Sequence, residues 1–122
     1  MSDSLSTIGS IAYVITSSIT NIPTGVSGNM LQFVDVARQY ASQFTGVSIG
    51  SNSIPENYQM AIFNLSMSNA INTIVSQGYG TIAELTINGG NIPMSAQAYK
   101  DLGEMQLKVL GRHVSAVRSL SW

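Results

Sequence analysis

Residues 53–77 read SIPENYQMAIFNLSMSNAINTIVSQ, and the reading of this stretch decides the class of the fold. It opens with Ser53-Ile-Pro-Glu56, a Ser-x-x-Glu capping box with proline in the first turn, where its missing N–H costs nothing. After Pro55, no Gly or Pro interrupts the run before Gly78. Two apolar stripes follow it at helical spacing. Tyr58, Ala61, Ile62 and Leu65 form one; Met60, Phe63, Met67, Ala70, Ile71 and Ile74 form the other. A helix apolar on two sides is covered on two sides, by its own domain or by a second subunit. Met60, Phe63 and Met67 are therefore candidate inter-subunit contacts, although core filling is the simpler use of methionine.

The segment upstream is the cleanest helix in the chain. Met30, Phe33, Val34, Val36, Ala37, Tyr40, Ala41 and Phe44 fall on one side, against Gln32, Asp35, Arg38, Gln39, Ser42 and Gln43. Asn29 or Ser27 offers an N-cap, and Gly46 suits the position after the last turn. With the small-residue loop 46–52, the two helices make a helical hairpin over 29–78. Further upstream, Ile8, Ile11, Ile15, Ile19 and Ile22 step by threes and fours. That spacing predicts an N-terminal helix within 1–22, before Pro23, Gly25 and Gly28 break the chain.

Downstream, Thr81–Ile87 alternates and is β-branched, Asn88-Gly-Gly-Asn91 is a turn signal, and Ile92-Pro-Met94 suits a returning edge strand. A short β-hairpin over 81–94 is expected. Ser95 caps a last helix over 96–120 within the segment 95–122. Lys100, Glu104, Lys108 and Arg112 are read as its wet face. Ala98, Leu102, Met105, Val109, Ala116, Val117 and Leu120 are read as its dry face. Gly103 and Gly111 interrupt this helix at a cost of ~1 kcal/mol each relative to Ala. Close approach by another helix or subunit would explain that cost. The expected fold is mainly α: one domain over 1–122, about four helices in a small bundle, and one short β-hairpin before the last helix.

The composition narrows the function. The chain has 122 residues, of which 44% are hydrophobic and only 9% charged. The usual charged share is ~25%, so the surface must be Ser, Thr, Asn and Gln. A net charge of −1 excludes a strongly basic nucleic-acid binder and favours association. There is no cysteine, hence no disulfide, thiolate zinc site or thiol nucleophile. His113 is the only histidine and shares a helix side with Gln106. No companion ligand or orienting acid is evident, so the expectation is a buried or interfacial His in a protein that is not an enzyme and has no catalytic, metal or cofactor residues. Gly78-Tyr-Gly80 precedes a strand rather than following one, which is not a phosphate loop. Asn64-Leu-Ser66 matches a glycosylation sequon only by chance, since it lies mid-helix. No Lys or Arg precedes Arg38, so no secretory leader is read, and Leu5–Ile22 is too rich in Ser and Thr for a membrane span.

Charge is uneven along the chain. Residues 100–122 carry Lys100, Lys108, Arg112 and Arg118 against Asp101 and Glu104, a net +2; the remainder is −3. A basic helix ending in Trp122 suits a protein partner, and Arg112, Arg118, Leu120 and Trp122 are its candidate contacts. In the expected hairpin, Ile82, Leu85, Ile87, Asn88, Gly89 and Gly90 are candidates for pairing with a neighbouring subunit's edge.

The order of these pieces resembles a known family. The pieces are Ile22-Pro-Thr-Gly-Val-Ser-Gly28, Phe33-Val-Asp-Val-Ala-Arg-Gln-Tyr-Ala-Ser-Gln-Phe-Thr-Gly46, Ser48-Ile-Gly-Ser-Asn-Ser-Ile-Pro-Glu-Asn-Tyr-Gln59, Glu84-Leu-Thr-Ile-Asn-Gly-Gly90 and Leu102-Gly-Glu-Met-Gln-Leu-Lys-Val-Leu-Gly-Arg112. From about residue 20 onward the chain resembles the head-to-tail connector (adaptor) proteins of tailed bacteriophages. It departs from them in its few charges and its Ser/Thr-rich first helix. The resemblance implies a structural virion protein of the phage neck, assembled in the bacterial host cytoplasm. It implies a homo-oligomeric ring, commonly of twelve copies, joining the portal protein to a tail-side neck protein around the DNA channel. It also implies that the closing helix and C-terminal segment dock on the portal side. Contact with DNA would be non-specific proximity in the channel, and no membrane is involved. The alternatives are another neck or tail structural subunit, or a small helical protein-binding or regulatory module.

Overall fold

The computed structural model describes residues 6–20, 24–76, 86–87, 90–91 and 96–120, with side chains described over 6–19, 24–74 and 96–110. The protein is mainly α. Four substantial helices, α1 (Ile8–Ser18), α3 (Met30–Thr45), α4 (Glu56–Ser76) and α5 (Ala96–Leu120), pack together, and the short α2 (Thr24–Ser27) precedes α3. The backbone of β1 (Ile19–Thr20) pairs antiparallel with β2 (Thr86–Ile87), and β2 with β3 (Gly90–Asn91). Apart from these residues, the expected hairpin over 81–94 lies outside the described residues.

In α1, Thr7 caps the first turn, its Oγ1 accepting from the Ser10 N–H at 2.9 Å. Ile11 and Ile15 are fully buried. The helix ends at Ser18, earlier than the isoleucine spacing implied, because the backbone becomes extended at Ile19. Ile19 stays buried from its place in β1, so one apolar series serves a helix and then a strand.

In α3 the core side is Met30, Val34, Ala37, Ala41 and Thr45. Phe33 and Tyr40 flank it, while Val36 and Phe44 are exposed, which narrows the expected stripe. Gly46 ends the helix in the left-handed region, φ 73°, where a side chain would be strained. Neither expected N-cap side chain caps this helix. The Asn29 side chain donates to the Gly25 carbonyl, and Ser27 to that of Thr24.

The capping-box register also slips. Helix α4 begins at Glu56, so Ser53 lies three residues outside it and forms a bridge with Gly50. The start is held instead by Gln59, whose Nε2 donates to the Ile54 carbonyl at 3.1 Å. Ile54 N–H donates to Ser6 O, and Ile8 N–H to Ser51 O. The first described residues thus clamp the loop between α3 and α4. From the α3 side, Arg38 donates to the Ile49 carbonyl at 2.7 Å.

The two-sided burial of α4 comes from its own chain. Tyr58, Ala61, Ile62, Leu65, Met67, Ala70, Ile71 and Ile74 are all buried, in one core shared with α1, α3 and α5. Polar residues on α4 are buried with them. Asn64 Nδ2 donates to Gln106 Oε1 on α5 at 3.0 Å, and Ser66 donates back to the Ile62 carbonyl.

Helix α5 is turned relative to expectation. Its buried line is Ala96, Tyr99, Gly103 and Leu107, whereas Met105 and Val109, expected on the dry face, are 55% and 61% exposed. Glu104, expected on the wet face, is half-buried and accepts a hydrogen bond from Tyr40. The close approach expected at Gly103 is to α4. A Cβ there would sit 2.9 Å from Leu65 Cγ and 3.2 Å from the Ala61 carbonyl oxygen.

Gly103→Ala should therefore destabilise the protein despite its better helix propensity, because overpacking costs ~1–3 kcal/mol against a gain of ~1 kcal/mol. In a Leu65→Ala background the same substitution should turn neutral or stabilising. Chemical denaturation of the four proteins checks the sign change.

Candidate docking surfaces

Asn64 meets Gln106, Gly103 lies over Ala61 and Leu65, and Lys100 lines a groove with Ser68 and Asn72, so α5 runs antiparallel to α4. Continuing that register, residues 110–114 draw level with Glu56, the first residue of α4. Helix α5 continues to Leu120, so its last six to ten residues run ~9 to ~15 Å past the start of α4. Arg118 and Leu120, two of the four candidate partner contacts, belong to this overhang, and Arg112 lies at its base. Their side chains, and the whole of Trp122, are outside the described residues.

Of the candidate inter-subunit contacts on α4, Met67 is 1% exposed and is unavailable to any neighbour. Phe63 is half-buried against the core. Met60 is 49% exposed and remains available. It precedes Asn64 by one turn, and on α5 the exposed Met105 and Val109 flank Gln106. In the expected hairpin, Ile82, Leu85, Asn88 and Gly89 lie outside the described residues. The backbone of Ile87 pairs with Ile19 of the same chain and with Gly90. His113 is described only as backbone of α5, and Gln106, its expected neighbour, is the acceptor of Asn64.

A second surface was not anticipated from the sequence. A groove of about 480 Å³ lies between α3 and α4, lined by Asn29, Gln32, Phe33, Val36, Asn69, Asn72 and Thr73. It shares Val36, Asn69 and Asn72 with a smaller hollow of about 230 Å³ that reaches Tyr40, Leu65 and Lys100. Primary amides dominate the walls, and Phe33 and Val36 supply apolar floor. The only hint in the sequence was the polar content of two adjoining helix flanks.

Beside this surface, Tyr40 Oη donates to Glu104 Oε2 at 2.6 Å and ties α3 to α5. The Tyr40 ring lies 5.8 Å from that of Phe44. The hydrogen bond to Glu104, with burial and the nearby carboxylate charge, raises the Tyr40 phenol from its usual 10.0 to about 12. Asp35 is paired with Arg38 at 2.9 Å. Among the described residues no three His, Asp or Glu side chains gather as a metal set, and no helix is long and apolar enough to cross a membrane.

No family model, curated protein or solved structure matches the chain.

The Tyr40 shift has a definite sign. The folded state holds the phenol proton more tightly than the unfolded chain, so this stabilisation is complete below pH 10 and is lost as pH rises towards 12. Melting temperature should fall over that interval, and Tyr40→Phe should flatten the fall. The lost hydrogen bond should lower stability near neutral pH by ~0.5–1.5 kcal/mol.

Proposed function

We propose that the chain is a structural connector subunit of a phage neck, forming a homo-oligomeric ring that joins the portal protein to a tail-side neck protein and lines the DNA channel of the virion. The observation that carries this reading is the overhang of α5. The end of α5 runs about two turns past the start of the helix it packs on. A subunit that docks by its closing helix needs such an arm, and the basic residue Arg118 falls on it, with Arg112 at its base.

Two further features support assembly. The chain is nearly uncharged, with only 9% charged residues, which removes the repulsion that keeps small proteins apart. The end of α5 and the amide-lined groove along the later half of α4 also lie at different places on the subunit. Head-to-tail contacts that close into a ring join two different faces of each subunit.

Removing residues 118–122 should leave the helical circular dichroism and the melting temperature nearly unchanged, while binding to purified portal falls at least tenfold. A large drop in melting temperature would mean that the segment packs on its own domain. Unchanged binding would place the docking surface elsewhere. Size-exclusion chromatography with light scattering should find the intact chain assembled, alone or with portal; a persistent small species would favour a monomeric module.

A further inference from the structure

We propose that Met60 and Val109 of one copy seat on Tyr40 and Phe44 of the next copy, with Glu56 against Lys108. The pairing deepens the ring reading above and rests on it, because it requires adjoining copies.

Two groups of apolar side chains stand in water. On α3, Val36, Tyr40 and Phe44 follow one another at one-turn intervals; Val36 and Phe44 are exposed and Tyr40 is half-buried. On the other group's side, Met60 of α4 and Val109 of α5 are exposed, with Met105 next to Val109 by one turn. Exposed apolar side chains need no explanation singly, but grouped they mark contact surfaces.

Helix α5 keeps the two groups apart. Its Glu104 bonds to α3 and its Gln106 to α4. Two residues apart on a helix, these side chains point about 160° from one another. Lys108 lies one turn from Glu104, on the α3 flank, and Val109 lies about 60° from Gln106, on the other flank. The two faces are therefore unlike and back to back, as a contact that closes into a ring requires.

The faces also match in height along the bundle. Tyr40 meets Glu104, and Val36 and Tyr40 share a hollow with Lys100, so α3 and α5 run parallel and Phe44 draws level with Lys108. In the antiparallel register of α4 and α5, Met60 draws level with residues 106–110. A ring axis along the bundle preserves height from copy to copy. Met60 and Val109 thus come opposite Phe44, a thioether against an aromatic ring.

Charge supplies the occupant. Among the described acids, Glu104 accepts from Tyr40, Asp101 from Gln97, and Asp35 from Arg38 and Gln39. Glu56 is the remaining one. It is exposed one turn before Met60, and its carboxylate has no partner among the described residues. Lys100 and Lys108 are exposed and in no ion pair there, and Lys108 is the nearer to Glu56 in height. A second copy brings the cation that Glu56 lacks and the anion that Lys108 lacks, on the two faces that also carry the apolar groups.

The test uses the absence of native cysteine. Full chains carrying Met60→Cys and Phe44→Cys singly, co-expressed, assembled with portal where assembly needs it and treated with a short bis-maleimide, should give covalent dimers. Either variant alone should give no more than the background set by Tyr13→Cys with Phe44→Cys, Tyr13 being 74% exposed. Glu56→Lys should weaken self-association about tenfold at unchanged circular dichroism, and adding Lys108→Glu should restore it. Dimers from Met60→Cys alone would mean that like faces meet and would overturn the pairing. Dimers no stronger than background, while the wild type assembles by light scattering, would overturn it and leave the ring standing. So would a loss at Glu56→Lys that Lys108→Glu does not rescue. A wild type that remains monomeric, with portal or without, would remove both.

Discussion

The contact of Gly103 with Leu65 and the Ala61 carbonyl sets the position of α5, and much of the molecule follows from it. With no Cβ at residue 103, the two backbones approach closely enough for Tyr99 and Leu107 to sink into the core on either side. The same approach brings Gln106 to Asn64 and Glu104 to Tyr40, so these two hydrogen bonds to α5 depend on it. It also fixes how far α5 overshoots the start of α4. A ridge at that point in place of a gap would push α5 outward and open both polar contacts to water.

The bundle is held with very little charge. Arg38–Asp35 is the single ion pair among the described residues, and Arg38 also serves the loop by donating to Ile49. Neutral polar groups do most of the remaining orientation. Gln59, Asn64, Ser66 and Thr45 are buried on their helices, and each has a hydrogen-bond partner. Such bonds contribute only ~1 kcal/mol net, but leaving one unmade inside the core costs more, so they select one packing arrangement.

The sequence was most legible where side-chain volume and periodicity coincide. In α3, Met30, Val34, Ala37 and Ala41 repeat at helical spacing and Gly46 marks the end, and the structure has the helix there. In α5 the reading failed for a geometric reason. A series at every fourth residue drifts ~40° per step around a 3.6-residue helix, so Lys100, Glu104, Lys108 and Arg112 wind around the axis instead of marking one face. The true core line, Ala96, Tyr99, Gly103 and Leu107, includes a glycine that no hydrophobicity pattern can register as core. The Ser53 capping box failed because Gln59 and Ser6, one of them distant in the chain, hold the segment instead. For docking, periodicity marked α4 as two-sided but could not say what covered it. The groove arises only where flanks of α3 and α4 meet, a juxtaposition that no single-helix pattern contains.

The clamp of Ser6 and Ile8 on Ser51 and Ile54 bears on the order of folding events. The α3–α4 hairpin closes over a short loop, and its contacts are local and quick to form. The clamp joins residues some forty-five positions apart, so closing it carries a larger loop entropy and must wait until α1 has found α3. In the reverse direction it is a low-stability latch at the edge of the core, released at smaller free energy than the helices themselves. Release would detach residues 6–8 from the loop between α3 and α4 without unfolding the bundle.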